Sequence, residues 1–416
     1  MKIAIIGAGI AGNTLAWHLH KAHDITVFSA DCHVGGHTHT HQVQAFGREY
    51  QIDTGFIVYN NWTYPNFIQL LDDLGVSTQA SQMSFSVRDE VSGLEYNGTS
   101  LNSLFAQRRN AFRPSFLLMI RDILRFNKEA PSMLNAAVDD LPFADYLKKH
   151  RYSKAFIKHY IIPMGSAIWS ASPKQMFEFP SKFFIRFFHN HGMLSVSDRP
   201  EWRVIQGGSK VYVEKLTAGF KDKIRLNSPV VSVSRTKGSV NVQVKDQAAE
   251  KFDWVFFACH SDQALSLLED ASPLEQAILG ALPYQKNQIV LHTDASLMPK
   301  RKLAWAAWNY HLTDQPIGLA AVTYNMNILQ SLNSPEPFLV TLNHTAKIAP
   351  DKIIKRLEYT HPVFTPASVA AQSRHADISG VNRTAYAGAY WRNGFHEDGV
   401  ASALAALEHF NRAMEA

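Results

Sequence analysis

Four groups of residues in this chain have types and spacings suited to chemistry. Gly7-Ala8-Gly9-Ile10-Ala11-Gly12 sets three glycines at the spacing that lets backbone approach a pyrophosphate. His33, His37, His39 and His41 crowd into one short stretch beside Cys32. Phe395-His396-Glu397-Asp398-Gly399 joins an imidazole to two carboxylates; a histidine titrates near neutrality and can take a proton. Trp305, Trp308 and Tyr310 supply rings for the wall of an organic pocket. Each has a plainer alternative: core packing for the aromatics, a structural role for His396, and helix capping for Glu397 and Asp398.

The elements around these residues decide between the alternatives. Lys2-Ile3-Ala4-Ile5-Ile6 reads as a buried strand directly ahead of Gly7, and helical spacing follows over 13–19. Strand, glycine loop and helix in that order point to a dinucleotide, with the helix N-terminus turned to its phosphates. The second strand, 24–28, ends at Ser29, where a ribose-binding acid is expected. Serine can still hydrogen-bond a ribose hydroxyl, Asp31 lies two residues on, and no arginine follows to hold a 2′-phosphate. Gly35-Gly36 then lets the chain pass a second stretch of dinucleotide, as FAD extended across a sheet requires. His37, Thr38, Gly55 and Phe56 flank that passage. Alternating His37, His39 and His41 would share one strand face, a geometry open to zinc. The glycine pair favours the flavin cofactor instead, and no metal is expected.

Composition bounds the rest. A chain of 416 residues exceeds one ordinary core, so two domains are expected. A net charge of +5 without a clear basic stripe argues against nucleic acid as a partner. Two distant cysteines, Cys32 and Cys259, argue against a disulfide framework. With no leader ahead of the first strand and no apolar run of spanning length, the chain reads as cytoplasmic. Asn97-Gly98-Thr99 is then read as a turn. Twenty-five Phe, 14 Tyr and 8 Trp suit either a large apolar pocket or simply a large core. Residues 101–128 interleave Arg108, Arg109, Arg113, Arg121 and Arg125 with Phe112, Phe116, Leu117, Ile120 and Leu124. An amphipathic helix with a solvated face is the simpler reading; peripheral docking on an anionic membrane is the other. The phenylalanines of 177–188 suit an acyl tunnel or a buried helix equally.

Several ordered segments carry a family likeness. Gly35-Gly36-His37-Thr38-His39-Thr40, Asp53-Thr54-Gly55-Phe56-Ile57-Val58, Ala167-Ile168-Trp169-Ser170, Trp308-Asn309-Tyr310 and Gly394-Phe395-His396-Glu397-Asp398-Gly399 span nearly the whole chain. They resemble the flavin-containing amine oxidase superfamily, and most closely its bacterial FAD/NAD-binding, amine-oxidase-like branch. Histidines stand where the superfamily's Arg-x-Gly-Gly-Arg segment has arginines.

The resemblance implies an α/β fold with an α+β insert: a Rossmann-type FAD-binding domain (1–59, 201–262, 379–416) interleaved with a substrate domain of helices (60–200) and antiparallel sheet plus helices (263–378). It implies that Val230 contacts adenine through its backbone. It implies that the helix opening at Gly399, after Gly388, faces the flavin, with Glu397 and Asp398 as candidates toward ribityl or phosphate. It places His396, Tyr310 and Trp308 as the candidate catalytic or pocket residues. The expected activity is hydride transfer to flavin N5 from a small-molecule or lipid substrate, most readily a fatty acyl chain. An amine oxidase and a flavoprotein with a structural or regulatory cofactor are the alternatives.

Overall fold

The computed structural model describes residues 1–135, 140–315 and 317–415. At its centre lies a five-stranded parallel sheet, ordered Ile224–Arg225, Asp24–Phe28, Lys2–Ile6, Trp254–Phe257, Thr384–Tyr386. Its strands read as apolar runs because both faces are covered: Ile3, Ala4, Ile5, Val255, Phe256 and Phe257 are all fully buried. One face packs against the helices Ile10–Leu19 and His396–Glu415 through Leu15, Ala16, Ala403 and Ala406. The small residues of the last helix, predicted over 399–407, allow that close approach, and the helix runs on to Glu415. The other face carries Val233, Val242 and Phe252 of a three-stranded meander, Val230–Arg235, Val240–Val244 and Glu250–Phe252. Alternation in Val240–Val244 corresponds to one buried side and one half-buried side, as its sequence pattern suggests.

A seven-stranded sheet forms the second layer, in the order Ile353–Pro362, Tyr284–His292, Leu339–Leu342, Val322–Asn325, Trp308–Leu312, Phe85–Asp89, Leu94–Asn97. It draws strands from both stretches between the parallel-sheet segments. The expected antiparallel sheet is in fact mixed: Trp308–Leu312 runs parallel to Phe85–Asp89, pairing Trp308 with Phe85 and Tyr310 with Val87. These two strands are distant in sequence, so no tight turn imposes an antiparallel pairing.

Helices cover this sheet with a large aromatic core that includes Phe116, Phe126, Phe156, Phe184 and Phe188. The single helix suggested by 101–128 is broken into a turn of helix at Leu101–Leu104, a tight helical turn at Arg108–Phe112 and a long helix, Pro114–Glu129. Proline supplies the first residue of that long helix, where its missing N–H costs nothing. Among the described residues, no helix is long and apolar enough to cross a membrane.

Candidate active site

The site is built where the first and last helices of the parallel-sheet domain begin side by side. Gly7, at φ +115°, turns the chain out of the first strand, and the Ile10–Leu19 helix starts at Gly9 without a side-chain cap. A Cβ on Gly12 would lie 1.9 Å from the Gly7 carbonyl oxygen, so the third glycine is the condition for helix and strand to touch. A Cβ on Gly399 would meet Ile10 Cγ2 at 2.6 Å, which locks the two helix starts together. Gly9 differs: a Cβ there meets nothing within 4 Å. Open ground therefore lies before an uncapped helix N-terminus, with the N–H groups of Ile10, Ala11 and Gly12 in its first turn.

The Gly35-Gly36 passage closes on the same place. Gly35 N donates to Ala8 O at 2.8 Å, and both glycines have positive φ. A Cβ on Gly55 would strike the His37 carbonyl oxygen at 2.0 Å, and Phe56 N donates to that oxygen at 2.8 Å. Phe56 is thereby set face to face with His396, ring centroids 3.5 Å apart. Thr38 Oγ1, Tyr212 Oη and His396 Nε2 form a closed triangle with sides of 2.6, 2.7 and 3.0 Å.

Tyr212, on the Lys210–Thr217 helix, is a member of this network that sequence patterning did not single out. Burial, then the neighbouring His37, holds His396 well below the ordinary histidine range. It is neutral at pH 7 with Nε2 already engaged, so the expectation that it titrates near neutrality is corrected. Its geometry is that of a positioning group for the two hydroxyls.

For Glu397 and Asp398 the structure takes the capping alternative over the ribityl or phosphate one. Glu397 accepts from the N–H groups of Asn66 (3.2 Å) and Phe67 (2.9 Å), capping the helix Pro65–Asp73. Asp398 accepts from Asn393 N (3.2 Å) and Phe395 N (2.9 Å), the back-reach of a helix cap. Both carboxylates are thus committed to backbone N–H groups rather than to ribityl or phosphate. Burial raises both, Asp398 to about 7. Gly388, extended at its φ of 165°, donates its N–H to Ser402 Oγ at 2.8 Å and so ties the fifth strand to the terminal helix.

Ser29 and the turn before Val230 lie side by side at the end of the second strand. Ser29 N donates to Arg225 O and Ser228 N to Ser29 O, at 2.9 and 2.8 Å, which brings the turn before Val230 alongside the second strand. Trp308 and Tyr310 lie elsewhere. Trp308 stands edge-on to Tyr324 at 5.3 Å, Tyr310 is buried beside Ser166, and neither ring contacts His396 among the described residues. They line the sheet beneath the helix Ile162–Trp169, so the structure does not join them to the triangle.

The histidines divide into two sets. His33 stacks on His39 and His41 tilts against it, each with centroids 4.0 Å apart, while His37 sits with His260 (5.8 Å), His361 (5.7 Å) and Tyr359 (5.1 Å). The strand begins at Thr40, so only His41 lies on it and the three histidines do not share a strand face. Among the described residues, no group of three histidines, cysteines or acids is disposed to hold a metal ion. Burial pushes His37 and His260 down to about 4 and His361 to about 3, so the set is uncharged at pH 7.

A third buried carboxylate, Asp53, braces the whole. It accepts from Thr40 Oγ1 (2.5 Å), Ser209 N (3.0 Å), Ser209 Oγ (2.7 Å) and Gln330 Nε2 (3.0 Å). Three segments far apart in sequence meet on this one side chain. Burial raises it to about 6 against the pull of those donors.

The model of the flavin-containing amine oxidoreductase family matches residues 10–314. The chain belongs to that family. Its members bind FAD, and the residues here fit the cofactor: open ground at Gly9 before an uncapped helix, and a paired-glycine passage against it. This flavin-containing amine oxidoreductase is therefore an FAD-dependent oxidoreductase.

Solved structures share its fold. They include a CLA-producing fatty acid isomerase from P. acnes (16% identity, 98% of each chain, TM-score 0.69). Cyclohexylamine oxidase from Brevibacterium oxydans IH-35A is similar at 18% identity, over 99% of each chain, with TM-score 0.68. Putrescine oxidase bound to putrescine is similar at 14% identity, over 99% of this chain and 100% of that one, with TM-score 0.67. No curated protein matches the chain.

Proposed function

We propose that this oxidoreductase dehydrogenates an apolar substrate, a fatty acyl chain or lipid, which gives up a hydride to the cofactor and a proton to water. When bound, FAD supplies the hydride acceptor at N5. The observation that carries the reading is a neutral aromatic wall running inward from the start of the terminal helix. Phe395, next to His396, stacks on Phe187 at 5.1 Å, and Phe187 stacks on His191 at 3.8 Å. Phe183 stacks on Phe364 at 5.1 Å, and Trp169 packs between Phe179 and Phe187, each at 4.8 Å. His191 is pushed down to about 4 by burial, so the wall bears no charge at pH 7. Such a wall suits an alkyl chain, whose burial against rings leaves no polar group unpaired.

The chain's own residues then have distinct tasks. The first turn of the Ile10–Leu19 helix binds the pyrophosphate through backbone N–H groups. Thr38, Tyr212 and His396 hold one another in register beside Phe56. The aromatic wall orients the substrate and excludes water. The fold shared with a fatty acid isomerase supports the acyl reading as analogy only. Mass spectrometry of organic extracts from the purified holoenzyme tests it: acyl-chain compounds are expected to co-purify. Extracts free of acyl compounds and containing amines would overturn it.

A further inference from the structure

We infer that the outer face of residues 91–128 is a docking surface for a bilayer containing anionic lipid. The apolar half of the argument is exposure. Phe112 and Leu101 are 87% and 76% exposed, the two highest values among the large apolar side chains of the described residues. Val91, Leu124 and Leu117 follow in the same region at 71%, 55% and 45%. On the helix Pro114–Glu129, Phe116, Met119 and Phe126 face the core, while Leu117, Arg121, Leu124 and Lys128 recur at helical spacing on the opposite, exposed side. An ordinary solvated face would put polar residues at Leu117 and Leu124. The turn that carries Val91 is held to this segment by Arg109 and Arg113, which donate to Gly93 O and Ser92 O, each at 3.4 Å.

The charged half of the argument is lack of compensation. Residues 101–128 contain six basic side chains and one acid, Asp122, a surplus equal to the +5 of the whole chain. Asp122 is buried, is shared by Arg121 and Arg125 at 3.5 and 3.4 Å, and accepts from Ser153 N. Arg108, Arg109 and Arg113 donate to carbonyl oxygens and the Asn102 amide, so no carboxylate cancels them among the described residues. Exposed apolar side chains ringed by uncancelled cations match the interface of an anionic bilayer: rings and leucines enter the acyl boundary while guanidinium groups meet phosphates. The inward face of the same helix meets the helix that carries Phe187: Phe126 stands edge-on to Phe188 at 6.4 Å.

The inference does not rest on the substrate reading, because its test measures binding and not turnover. The holoenzyme is sedimented with vesicles of phosphatidylcholine alone and of an equal mixture with phosphatidylglycerol. Binding is expected only to the mixture and is expected to fall as salt rises. The pair Arg109→Gln and Lys128→Gln is expected to weaken it about 25-fold, roughly fivefold for each charge. The pair Phe112→Ser and Leu117→Ser is expected to weaken it about tenfold or more. All four positions lie outside the active site, so flavin content and melting temperature serve as controls that stay unchanged. Failure of the wild type to sediment with the mixed vesicles overturns the inference. Full binding by the Phe112→Ser, Leu117→Ser variant also overturns it, and marks a purely ionic surface for an acidic macromolecule.

Discussion

Alanine at Gly9 separates cofactor binding from folding. The Gly9 backbone, at φ −78° and ψ −173°, is open to any residue, and an added Cβ meets no protein atom within 4 Å. Stability of the flavin-free protein should therefore hold, or rise by about 0.4–1 kcal/mol as the unfolded chain loses freedom. The methyl group stands instead in the space that the pyrophosphate must approach. Overpacking of that kind costs about 1–3 kcal/mol, a roughly 5- to 150-fold loss of FAD affinity. Gly12→Ala is the counterpart, since its Cβ would lie 1.9 Å from one backbone atom and 3.0 Å from another, both of Gly7. It should lower the melting temperature of the flavin-free protein itself. The assay is thermal denaturation of flavin-free protein beside fluorescence titration with FAD, for both variants. Unchanged FAD affinity in Gly9→Ala would refute the placement of the pyrophosphate. A flavin-free Gly9→Ala protein that melts as early as Gly12→Ala would refute the open ground.

Three further outcomes follow from the buried polar groups. Asp53→Ala strands the Ser209 N–H, the Ser209 hydroxyl and the Gln330 amide, and should cost at least about 3 kcal/mol in chemical denaturation; a loss below about 1 kcal/mol would contradict its bracing role. Tyr212→Phe removes the hydroxyl that links Thr38 to His396 and should cost about 1–3 kcal/mol, with a changed flavin absorbance envelope; an unaltered spectrum and melt would argue against the triangle.

Acid should also destabilise the fold. His37, His260 and His361 stay neutral down to about 4, 4 and 3, whereas an unfolded histidine protonates near 6.5. Stability present above about pH 6.5 is lost as pH falls toward 4, at up to about 1.4 kcal/mol per pH unit for each histidine. Asp53 and Asp398 act in the opposite sense: raised to about 6 and 7, they favour the fold while protonated and lose that contribution as pH rises. The histidines outnumber them, with His396 and His311 also held well below the ordinary range by burial, so the melting temperature should drop from pH 7 to pH 5. A rise over that interval would contradict the assignment.

The features legible in the sequence are the ones that local chemistry dictates. The glycines of 7–12 and 35–36 announce themselves because a turn and a close approach leave no room for a side chain. The strands of the parallel sheet follow from short apolar runs next to them. Asp398 was legible as a cap, because an acid in the first turn reaches back to backbone N–H groups. What could not be read arises from contacts between distant segments. Tyr212 meets His396 across 184 residues, and Asp53 meets Ser209 and Gln330 across 156 and 277. No periodicity marks such partners. His396 looked titratable because composition says nothing about burial, which decides its protonation. Trp308 and Tyr310 alternate correctly on one strand face, but which layer that face meets depends on the parallel junction with Phe85–Asp89. Tyr212 carried one signal that could have found it: an aromatic hydroxyl on a short helix that opens just after Gly207-Gly208.

Anaerobic mixing of the holoenzyme with a panel of fatty acyl compounds and primary amines tests the central claim most directly. The visible band of oxidised flavin should bleach with acyl substrates and persist with amines. Bleaching by amines alone would contradict the account and assign the aromatic wall to the core.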